Sequence, residues 1–399
     1  MKFNLSALLF LASISVGILY SQTTNVEGSK YQFTKIYNYD PTPVLSQGRT
    51  STCWSFSCLS FLESELIRMG KPSVNLSEMY IVRKAYELKA EKYIRMDGKI
   101  NFGQGGAFHD IPLVVKNFGI VPYEIYNGNY SSEKGYSHDV MFSEFEKFMN
   151  GVLGKISNPK GLDLKWKSDF RSLLDKNLGK DIEEFQLEGR TYTPKSYSES
   201  LGLDMNNYVS ITSFKNHPMY QKCQLEIPDN WAWGESYNVS LEDLFSITEN
   251  ALKNGYTVAW GADVSEKGFS FKNGIAIVPV DANQIEVSGR DSKGFSDAGA
   301  DRAGNQFTNP GKELMITPVI RQLGYDNKTT TDDHGMHIVG LYKDQNGVKY
   351  FLVKNSWGTN NYPKGFLYVS EHYFRYKTIN VFLHKNAISN ELKIKLNLK

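Results

Sequence analysis

Helical patterns dominate the early part of this chain and strand patterns its last third, and this order constrains the fold most. The predicted helices carry apolar residues at helical spacing and cover 53–69, 77–93 and 108–118. The predicted strands are rich in β-branched and aromatic residues and cover 256–260, 337–342 and 348–354. Helices that precede strands in this way predict an α+β fold with two packed lobes.

Composition excludes several classes of protein. The 399 residues are 41% hydrophobic and include 33 Gly and 13 Pro, so the chain can bury a full core and is neither disordered nor collagen-like. Lys and Arg number 45 against 43 Asp and Glu, which gives a formal net charge of +2. That balance lacks the basic excess typical of nucleic-acid binding, so no nucleic-acid partner is expected.

The N-terminus has the pattern of a signal peptide. Lys2 precedes an apolar run from Leu5 to Tyr20, and Ser21 is a small residue suited to the position before a cleavage site. The run is too short and too rich in serine for a good membrane span, and a buried N-terminal helix is the alternative interpretation. We therefore expect residues 1–21 to be a signal peptide and the protein to be exported, periplasmic or secreted, without membrane contact after cleavage.

Residues 22–399 are predicted to form one domain that carries an insertion at about 131–235. The insertion is charged and mixed in pattern, with helices predicted near 139–150 and 166–176. Residues 281–312 are rich in Gly, Asp and Asn, which is typical of a surface loop.

A cysteine at the predicted start of a helix is the candidate nucleophile. At that position the helix dipole favours the thiolate of Cys53, and backbone N–H groups without helical partners can stabilise an oxyanion. Gln47 lies six residues upstream, on a loop that can return its amide to the same place. An inert buried thiol is the alternative interpretation of Cys53, and a bridge between Cys58 and Cys223 is left open.

The base that such a nucleophile needs is predicted near the C-terminus. His334 is the candidate base, Asn355 the residue that would orient its ring, and Trp357 a cover that excludes water. A two-residue turn at 346–347 would leave His334 about 13 Å along the strand from Asn355, so we predict a wider loop centred near 344–345. His337 would lie on the opposite face of the strand from His334, so no metal site and no cofactor are predicted.

Three motifs in this order resemble the papain-like cysteine peptidases. They are Gln-x5-Cys-Trp at 47–54, His-Gly-Met at 334–336 and Asn-Ser-Trp-Gly at 355–358. Cys53 and His334 are 281 positions apart, far beyond the roughly 130–150 of small papain-type enzymes. That distance resembles the branch of bleomycin hydrolase and bacterial aminopeptidase C, which carries a large helical insertion.

The resemblance implies a fold and a set of site residues. The fold is the papain-like two-lobe α+β fold, with a helical lobe and a β-barrel-like lobe. The implied roles are an oxyanion amide for Gln47, the nucleophile for Cys53, the general base for His334, its orienting partner for Asn355, substrate-backbone binding for Gly105 and Gly106, and support for Trp54 and Trp357.

The resemblance also implies hydrolysis of peptide or protein substrates through an acyl-enzyme, by an aminopeptidase of bleomycin hydrolase type. In that branch a C-terminal arm lies in the cleft and restricts cleavage to chain ends inside a hexamer, which leaves a homo-oligomer open. Residues 392–399 alternate apolar and polar side chains, as an added strand would, and an edge strand or a partner-binding strand fits this pattern equally well. An endopeptidase of the same fold and a catalytically silent peptide-binding protein are the alternatives.

Overall fold

The computed structural model describes residues 23–131, 135–158, 160–289 and 301–398. The predicted signal peptide, 1–21, lies outside these residues. The described helices are α1 (Cys53–Arg68), α2 (Glu78–Arg95), α3 (Asp110–Phe118), α4 (Asp139–Leu153), α5 (Trp166–Leu178), α6 (Pro194–Leu201), α7 (Leu241–Lys253), α8 (Pro318–Asp326), α9 (Glu371–Lys377) and α10 (Asn390–Lys395). None of them is both long and apolar enough to cross a membrane.

The strands concentrate in the later part of the chain, as predicted. The described strands are β1 (Thr34–Asn38), β2 (Phe185–Leu187), β3 (Arg190–Tyr192), β4 (Tyr208–Thr212), β5 (Lys222–Gln224), β6 (Glu235–Asn238), β7 (Val258–Ala262), β8 (Phe269–Ser270), β9 (Ile275–Ala276), β10 (Glu286–Ser288), β11 (Asp301–Ala303), β12 (His334–Lys343), β13 (Lys349–Lys354), β14 (Phe366–Ser370) and β15 (Thr378–His384).

One eleven-stranded sheet forms the frame of the second lobe. Its order is β5-β6-β4-β15-β7-β12-β13-β14-β9-β8, and β1 pairs with β12 outside this path. The long strand β12 is central because it pairs antiparallel with β7, with β13 and with β1. The residue that begins β12, His334, is therefore held opposite Ala262 of β7 by the ladder of hydrogen bonds.

The first lobe is helical and packs around α1. Leu59, Leu62 and Leu66 of α1 have no exposed surface and belong to one apolar cluster with residues of α2 to α6. A second apolar cluster joins α7 to the large sheet. The two clusters give the two-lobe arrangement that the order of helices and strands predicts.

Local signals place most helix ends correctly. The side chain of Ser77 accepts a hydrogen bond from the backbone N–H of Tyr80 and caps α2, at the start of the helix predicted over 77–93, and Ser240 caps α7 in the same way. The helices predicted near 139–150 and 166–176 are α4 and α5. The boundaries of the insertion that contains them stay a prediction.

The connection from β12 to β13 differs in detail from the prediction. It is wider than a two-residue turn, as expected, since five residues separate Lys343 from Lys349 and Gly347 N–H donates to Asp344 O. Its centre is nevertheless residue 346, and the register pairs His337 with Lys354. The strands therefore do not place His334 directly opposite Asn355, and that part of the prediction is wrong.

The C-terminal tail is a helix and not a strand, so the predicted added strand at 392–399 is wrong. Ser389 caps α10, and Leu392 and Leu396 pack into the apolar cluster around α7 and the sheet. These two leucines are four residues apart, so a helix brings both to one buried face. Residues that alternate along the sequence are also apolar at every fourth position, so the same pattern fits a strand and a helix.

Candidate active site

Cys53 is the first residue of α1 and lies at the junction of the two lobes. The helix begins there because Thr52 O accepts the first backbone bonds, from Ser55 and Phe56. α1 then packs against β12, which brings Cys53 and His334 to the same small cavity of about 20 Å³. Two residues that are 281 positions apart in the sequence therefore meet where the helical lobe contacts the sheet.

His334, Asn355 and Trp357 form one buried unit. His334 Nε2 lies 2.7 Å from Asn355 Oδ1, and the indole of Trp357 stacks on the imidazole with ring centroids 4.4 Å apart. Asn355 Oδ1 also accepts from the backbone N–H of Ser356, which fixes the orientation of the amide. The acceptor beside Nε2 means that Nε2 carries the ring proton and Nδ1 is the basic nitrogen.

The side chains meet although the backbone register does not align them. Asn355 leaves the ladder at the end of β13, where its N–H donates to Gly365 O. Its side chain is then free to reach across to His334, while Trp357 follows two residues later. The predicted contact between His334 and Asn355 is therefore present, through side chains at a strand end.

Burial keeps the thiol and the imidazole uncharged in this state. Burial raises the pKa of the Cys53 thiol to about 12, although hydrogen bonds from the backbone of Gly335 and Trp54 lower it. Burial lowers the pKa of His334 to about 4, and the hydrogen bond with Asn355 opposes that shift. The thiolate expected from the helix dipole is thus disfavoured here, because desolvation of the charge exceeds the effect of the helix end. No hydrogen bond joins Cys53 to His334 among these described groups.

Gln47 is held rigidly beside the end of β13. Its Nε2 donates to Thr50 O at 2.7 Å, and its Oε1 accepts from Ser356 Oγ at 2.6 Å. Its backbone N–H also donates to Ser356 O. One N–H of the amide is left for another acceptor, and the oxyanion role of Gln47 stays a prediction.

Gly106 and Trp54 line the cavity that contains Cys53. A Cβ atom at Gly106 would lie 2.8 Å from both Trp54 Cε2 and Asp110 Oδ2, so a side chain does not fit there. Trp54 Nε1 donates to Gln104 O and holds the glycine-rich loop against α1. Gly105 is covered by the carboxylate of Asp229, which a Cβ atom would overlap.

The metal interpretation finds no support in the described residues. His337 lies on the other face of β12 from His334, and its Nδ1 is 3.0 Å from Ser60 Oγ. Within the described ranges no three His, Cys, Asp or Glu side chains are grouped so that they could hold a metal ion. Cys53, Cys58 and Cys223 are all free thiols, so the bridge that was left open is absent.

A buried charged cluster lies on the far face of β12. Lys354 Nζ donates to Ser60 Oγ at 2.8 Å, and this cluster shares a second cavity of about 20 Å³ with Asn355. Burial raises the pKa of Glu63 to about 7 and that of Glu78 to about 8, and it lowers the pKa of Lys354 to about 8. Sequence patterns did not predict this cluster, because its members come from α1, α2 and β13.

Sequence reasoning also missed the segment 227–234, which we call the cap segment. Ile227 and Asp229 line the same cavity as Cys53. The available signal was compositional, since Trp231 and Trp233 are two of the six tryptophans of the chain and lie in a stretch otherwise interpreted as a polar insertion. Two large aromatic side chains so close together indicate a segment that is anchored and not a free loop.

This chain is similar in sequence to known peptidases. Residues 322–399 match the model of the Peptidase C1-like family. Aminopeptidase G of Lactobacillus delbrueckii subsp. lactis is 23% identical over 90% of this chain and 85% of its own length. Aminopeptidase C of Listeria monocytogenes is 22% identical over 98% of this chain and 91% of its own length. The chain is therefore similar to C1-like peptidases in its last 78 residues and to these aminopeptidases over most of its length.

The fold comparison agrees with that relationship. The crystal structure of PepW from Lactobacillus rhamnosis superposes with a TM-score of 0.69 at 17% identity, over 91% of this chain and 84% of that chain. The predicted α+β fold of papain-like type is confirmed, and so is the resemblance to the aminopeptidase C branch. The catalytic roles of individual residues in this C1-like chain stay predictions.

Proposed function

We propose that the protein is a cysteine aminopeptidase. The observation that carries the proposal is the hydrogen-bonded pair of His334 and Asn355 beneath Trp357, on the wall of a cavity shared with Cys53. A nucleophile, a base and a group that orients the base are the parts that this chemistry needs. The relatives named aminopeptidase C and aminopeptidase G support removal of N-terminal residues.

The proposed reaction has two halves, acylation of Cys53 and hydrolysis of the resulting thioester. Cys53 Sγ attacks the peptide carbonyl, its proton passes to Nδ1 of His334, and the peptide nitrogen leaves with that proton as the C–N bond breaks. Water then attacks the thioester, loses a proton to His334, and releases the acid and the thiol. Asn355 holds the ring throughout, because its Oδ1 accepts from Nε2–H in both charge states of the imidazole.

Desolvation keeps the resting thiol and imidazole uncharged in the proposed reaction. The uncharged thiol and imidazole are the stable forms of the closed site, so charge develops only as the proton moves. The backbone N–H groups at the start of α1 and the remaining N–H of Gln47 are the donors proposed for the oxyanion. These donors act on an anion that is absent from the resting state, which is the condition for a lower barrier.

The experiment that tests the proposal compares wild type with Cys53→Ala. Wild type is expected to release the fluorophore from an aminoacyl amide with a free α-amine and to be labelled by a thiol-directed epoxide. Cys53→Ala is expected to lose both, and Cys58→Ala serves as the matched control that keeps both. Turnover by Cys53→Ala would refute the proposal, and titration of the thiol without any turnover would identify a silent peptide-binding protein.

We also propose that the protein is exported. Lys2 and the apolar run from Leu5 to Tyr20 support this, and these residues lie outside the described part of the chain. N-terminal sequencing of protein isolated from cells is expected to begin near Gln22. A chain that retains residues 1–21 and is found only inside the cell would contradict the proposal.

A further inference from the structure

A groove in the helical lobe lies outside the candidate active site, where α4, α5 and the connection between them meet. Its volume is about 810 Å³, and its described lining shares no residue with the cavity that contains Cys53. Ligand-binding pockets have volumes of about 300–1,000 Å³, so the groove has the size of a binding site. The apolar side chains that form its floor are Phe148, Val152, Leu162, Trp166 and Leu173. Phe148, Leu162 and Leu173 are only partly buried, so the floor offers apolar surface to a partner.

The indole of Trp166 is a hydrogen-bond donor that the described residues leave unused. The side chain is 7% exposed, and its Nε1 has no hydrogen-bond partner among the described residues. An N–H group that is buried without a partner costs free energy, because the same group is bonded to water in the unfolded chain. Trp166 begins α5 and lines the groove, so an acceptor oxygen that enters the groove would remove this cost.

The rim of the groove has an excess of positive charge. Its described lining includes five lysines but only three carboxylates. Two of the lysines are paired, since Lys165 Nζ lies 2.6 Å from Asp169 Oδ1 and Lys176 Nζ lies 3.0 Å from Glu144 Oε1. The three lysines whose ammonium groups have no hydrogen-bonded or ionic partner within the described part of the chain are Lys147, Lys155 and Lys160.

The connection that carries two of these lysines is folded by local hydrogen bonds. Asn158 N–H donates to Lys155 O at 3.1 Å, and Gly161 N–H donates to Asn158 O at 2.8 Å. Lys160 N–H donates to Asn158 Oδ1 at 3.0 Å. The lysines therefore extend from backbone that has its own hydrogen bonds, and they form a rim that is present before a partner binds.

The unpaired lysines require several negative charges in a partner. Lys147 lies six residues before the end of α4 at Leu153, a rise of about 9 Å along the helix, and Lys155 and Lys160 follow in the connection. A ligand with one carboxylate neutralises one of these ammonium groups and leaves two unpaired, whereas an anionic chain without apolar groups leaves the floor in water. A peptide segment with several Asp or Glu residues beside Leu or Phe residues matches both the charge and the floor. Its backbone carbonyl oxygens are also acceptors for Trp166 Nε1.

We propose that this groove docks an acidic, amphipathic peptide segment of a partner protein. The large apolar side chains of the segment lie on the floor, and its carboxylates pair with Lys147, Lys155 and Lys160. A backbone carbonyl oxygen of the segment accepts from Trp166 Nε1. The groove is separate from the cavity of Cys53, so docking here goes beyond the proposed function and does not depend on it.

The test measures the binding of a synthetic peptide to the whole protein. The probe is a fluorescent amphipathic peptide of Glu, Leu and Phe, followed by fluorescence anisotropy at physiological ionic strength, where attraction between distant charges is screened. Wild type is expected to bind it saturably. The triple variant Lys147→Glu, Lys155→Glu, Lys160→Glu is expected to bind it at least about 10-fold more weakly, since three attractions become repulsions. Trp166→Phe, which keeps an aromatic ring but lacks the N–H, should weaken binding about 3-fold or more.

The triple variant Lys35→Glu, Lys71→Glu, Lys215→Glu is the matched control. These three lysines are exposed and do not line the groove, and their substitution changes the net charge by the same amount. The control is expected to bind the peptide as wild type does, and circular dichroism checks that both triple variants are folded. An equal loss of binding in the two triple variants would show general attraction between charges and overturn the proposal.

Two further ligands distinguish other occupants of the groove. Polyglutamate has the charge without the apolar side chains, and dodecanoate has an acyl chain with one carboxylate. Both are expected to displace the fluorescent peptide at least about 10-fold less well than the unlabelled peptide does. Equal displacement by polyglutamate would indicate a simple basic patch, and binding of dodecanoate by a protein that does not bind the peptide would indicate a lipid site. Either result, like the absence of saturable peptide binding by wild type, overturns the proposal.

Discussion

His334, the proposed base, is positioned by neighbours that have no proton to exchange with it. Asn355 and Trp357 fix the ring of His334, and the backbone N–H of Ser356 fixes Asn355 in turn. A hydrogen bond to a charged group contributes about 1.5–3 kcal/mol, and the bond from His334 to Asn355 gains that strength when the ring takes up the proton in the proposed reaction. Loss of one such bond should therefore reduce the rate without unfolding the protein.

The first prediction concerns the orienting amide. Asn355→Ala is expected to lower kcat/KM about 10- to 100-fold, because the imidazole loses the acceptor that fixes its useful tautomer. Asn254→Ala is the control, since Asn254 makes only an exposed side-chain bond at the end of α7. Steady-state kinetics measure both, and a value for Asn355→Ala within twofold of wild type would contradict the proposed role.

The second prediction concerns the thiol. Since burial raises its pKa to about 12, the thiolate fraction of Cys53 is small at neutral pH and grows about tenfold for each pH unit below that value. The rate of alkylation by iodoacetamide, followed by mass spectrometry of the peptide that contains Cys53, should rise steadily from pH 6 to pH 10. A fast rate that does not change between pH 5 and pH 8 would instead reveal a stable thiolate–imidazolium pair.

At the scale of elements, the site depends on the packing of α1 against β12 and of α2 against α1. Glu63, Glu78, Lys354 and His337 are buried in this region. Their burial costs free energy of folding, and the apolar contacts of the helices offset that cost. Glu78 begins α2, where the helix dipole favours a negative charge, yet burial and the charge of Glu63 raise its pKa to about 8. Glu78 is therefore largely protonated in the folded protein at neutral pH.

The third prediction follows from that shift. The unfolded protein releases the Glu78 proton near pH 4.5 and the folded protein near pH 8, so unfolding becomes easier as pH rises between these values. Glu78→Gln removes this dependence and should be more stable than wild type by about 1–3 kcal/mol at pH 8, with a smaller difference at pH 5. Urea unfolding at both values measures it.

The control for the third prediction is Glu183→Gln, an exposed position without a buried partner. Its free energy of unfolding should stay within about 0.5 kcal/mol of wild type at both pH values. A gain for Glu78→Gln that is equal at pH 5 and pH 8 would contradict the titration and indicate a simple packing effect.

The elements that local sequence signals specify were predictable, and the contacts between distant elements were not. Caps such as Ser77 and Ser240 act within one turn, so a short window reveals them. Gln47, Cys53 and His334 were found because the residues beside each of them form a recognisable motif. Asp229 has no such neighbours, and its position beside Gly105 depends on how 123 intervening residues fold.

At the scale of the whole molecule, the C-terminal helix belongs to the core and not to the cleft. The alternation of apolar residues over 392–399 fits a strand, but Leu392 and Leu396 also share one helical face, and Ser389 caps the helix. Burial against the second apolar cluster decides between the strand spacing and the helical spacing of these residues. Deletion of the tail should therefore affect stability before it affects the position of cleavage.

The fourth prediction tests the role of α10. Leu392→Ala should lower the free energy of unfolding by about 2–3 kcal/mol, because the leucine is buried in the second apolar cluster. Ile394→Ala is the matched control, since Ile394 is 80% exposed and should change stability by less than about 0.5 kcal/mol. Neither variant should alter the preference for substrates with a free N-terminus over acetylated ones. A loss of that preference in Leu392→Ala would show that the tail acts in the cleft.

Gly105 and Asp229 are coupled by their shapes, because the carboxylate of Asp229 lies where a side chain at 105 would be. The glycine has an ordinary backbone conformation, so it is there only because the carboxylate occupies the space of a side chain. An alanine at 105 would push the carboxylate away, whereas a smaller residue at 229 would leave a gap that alanine could fill. A side chain at 105 therefore requires a smaller residue at 229 or a displacement of the segment that carries Asp229.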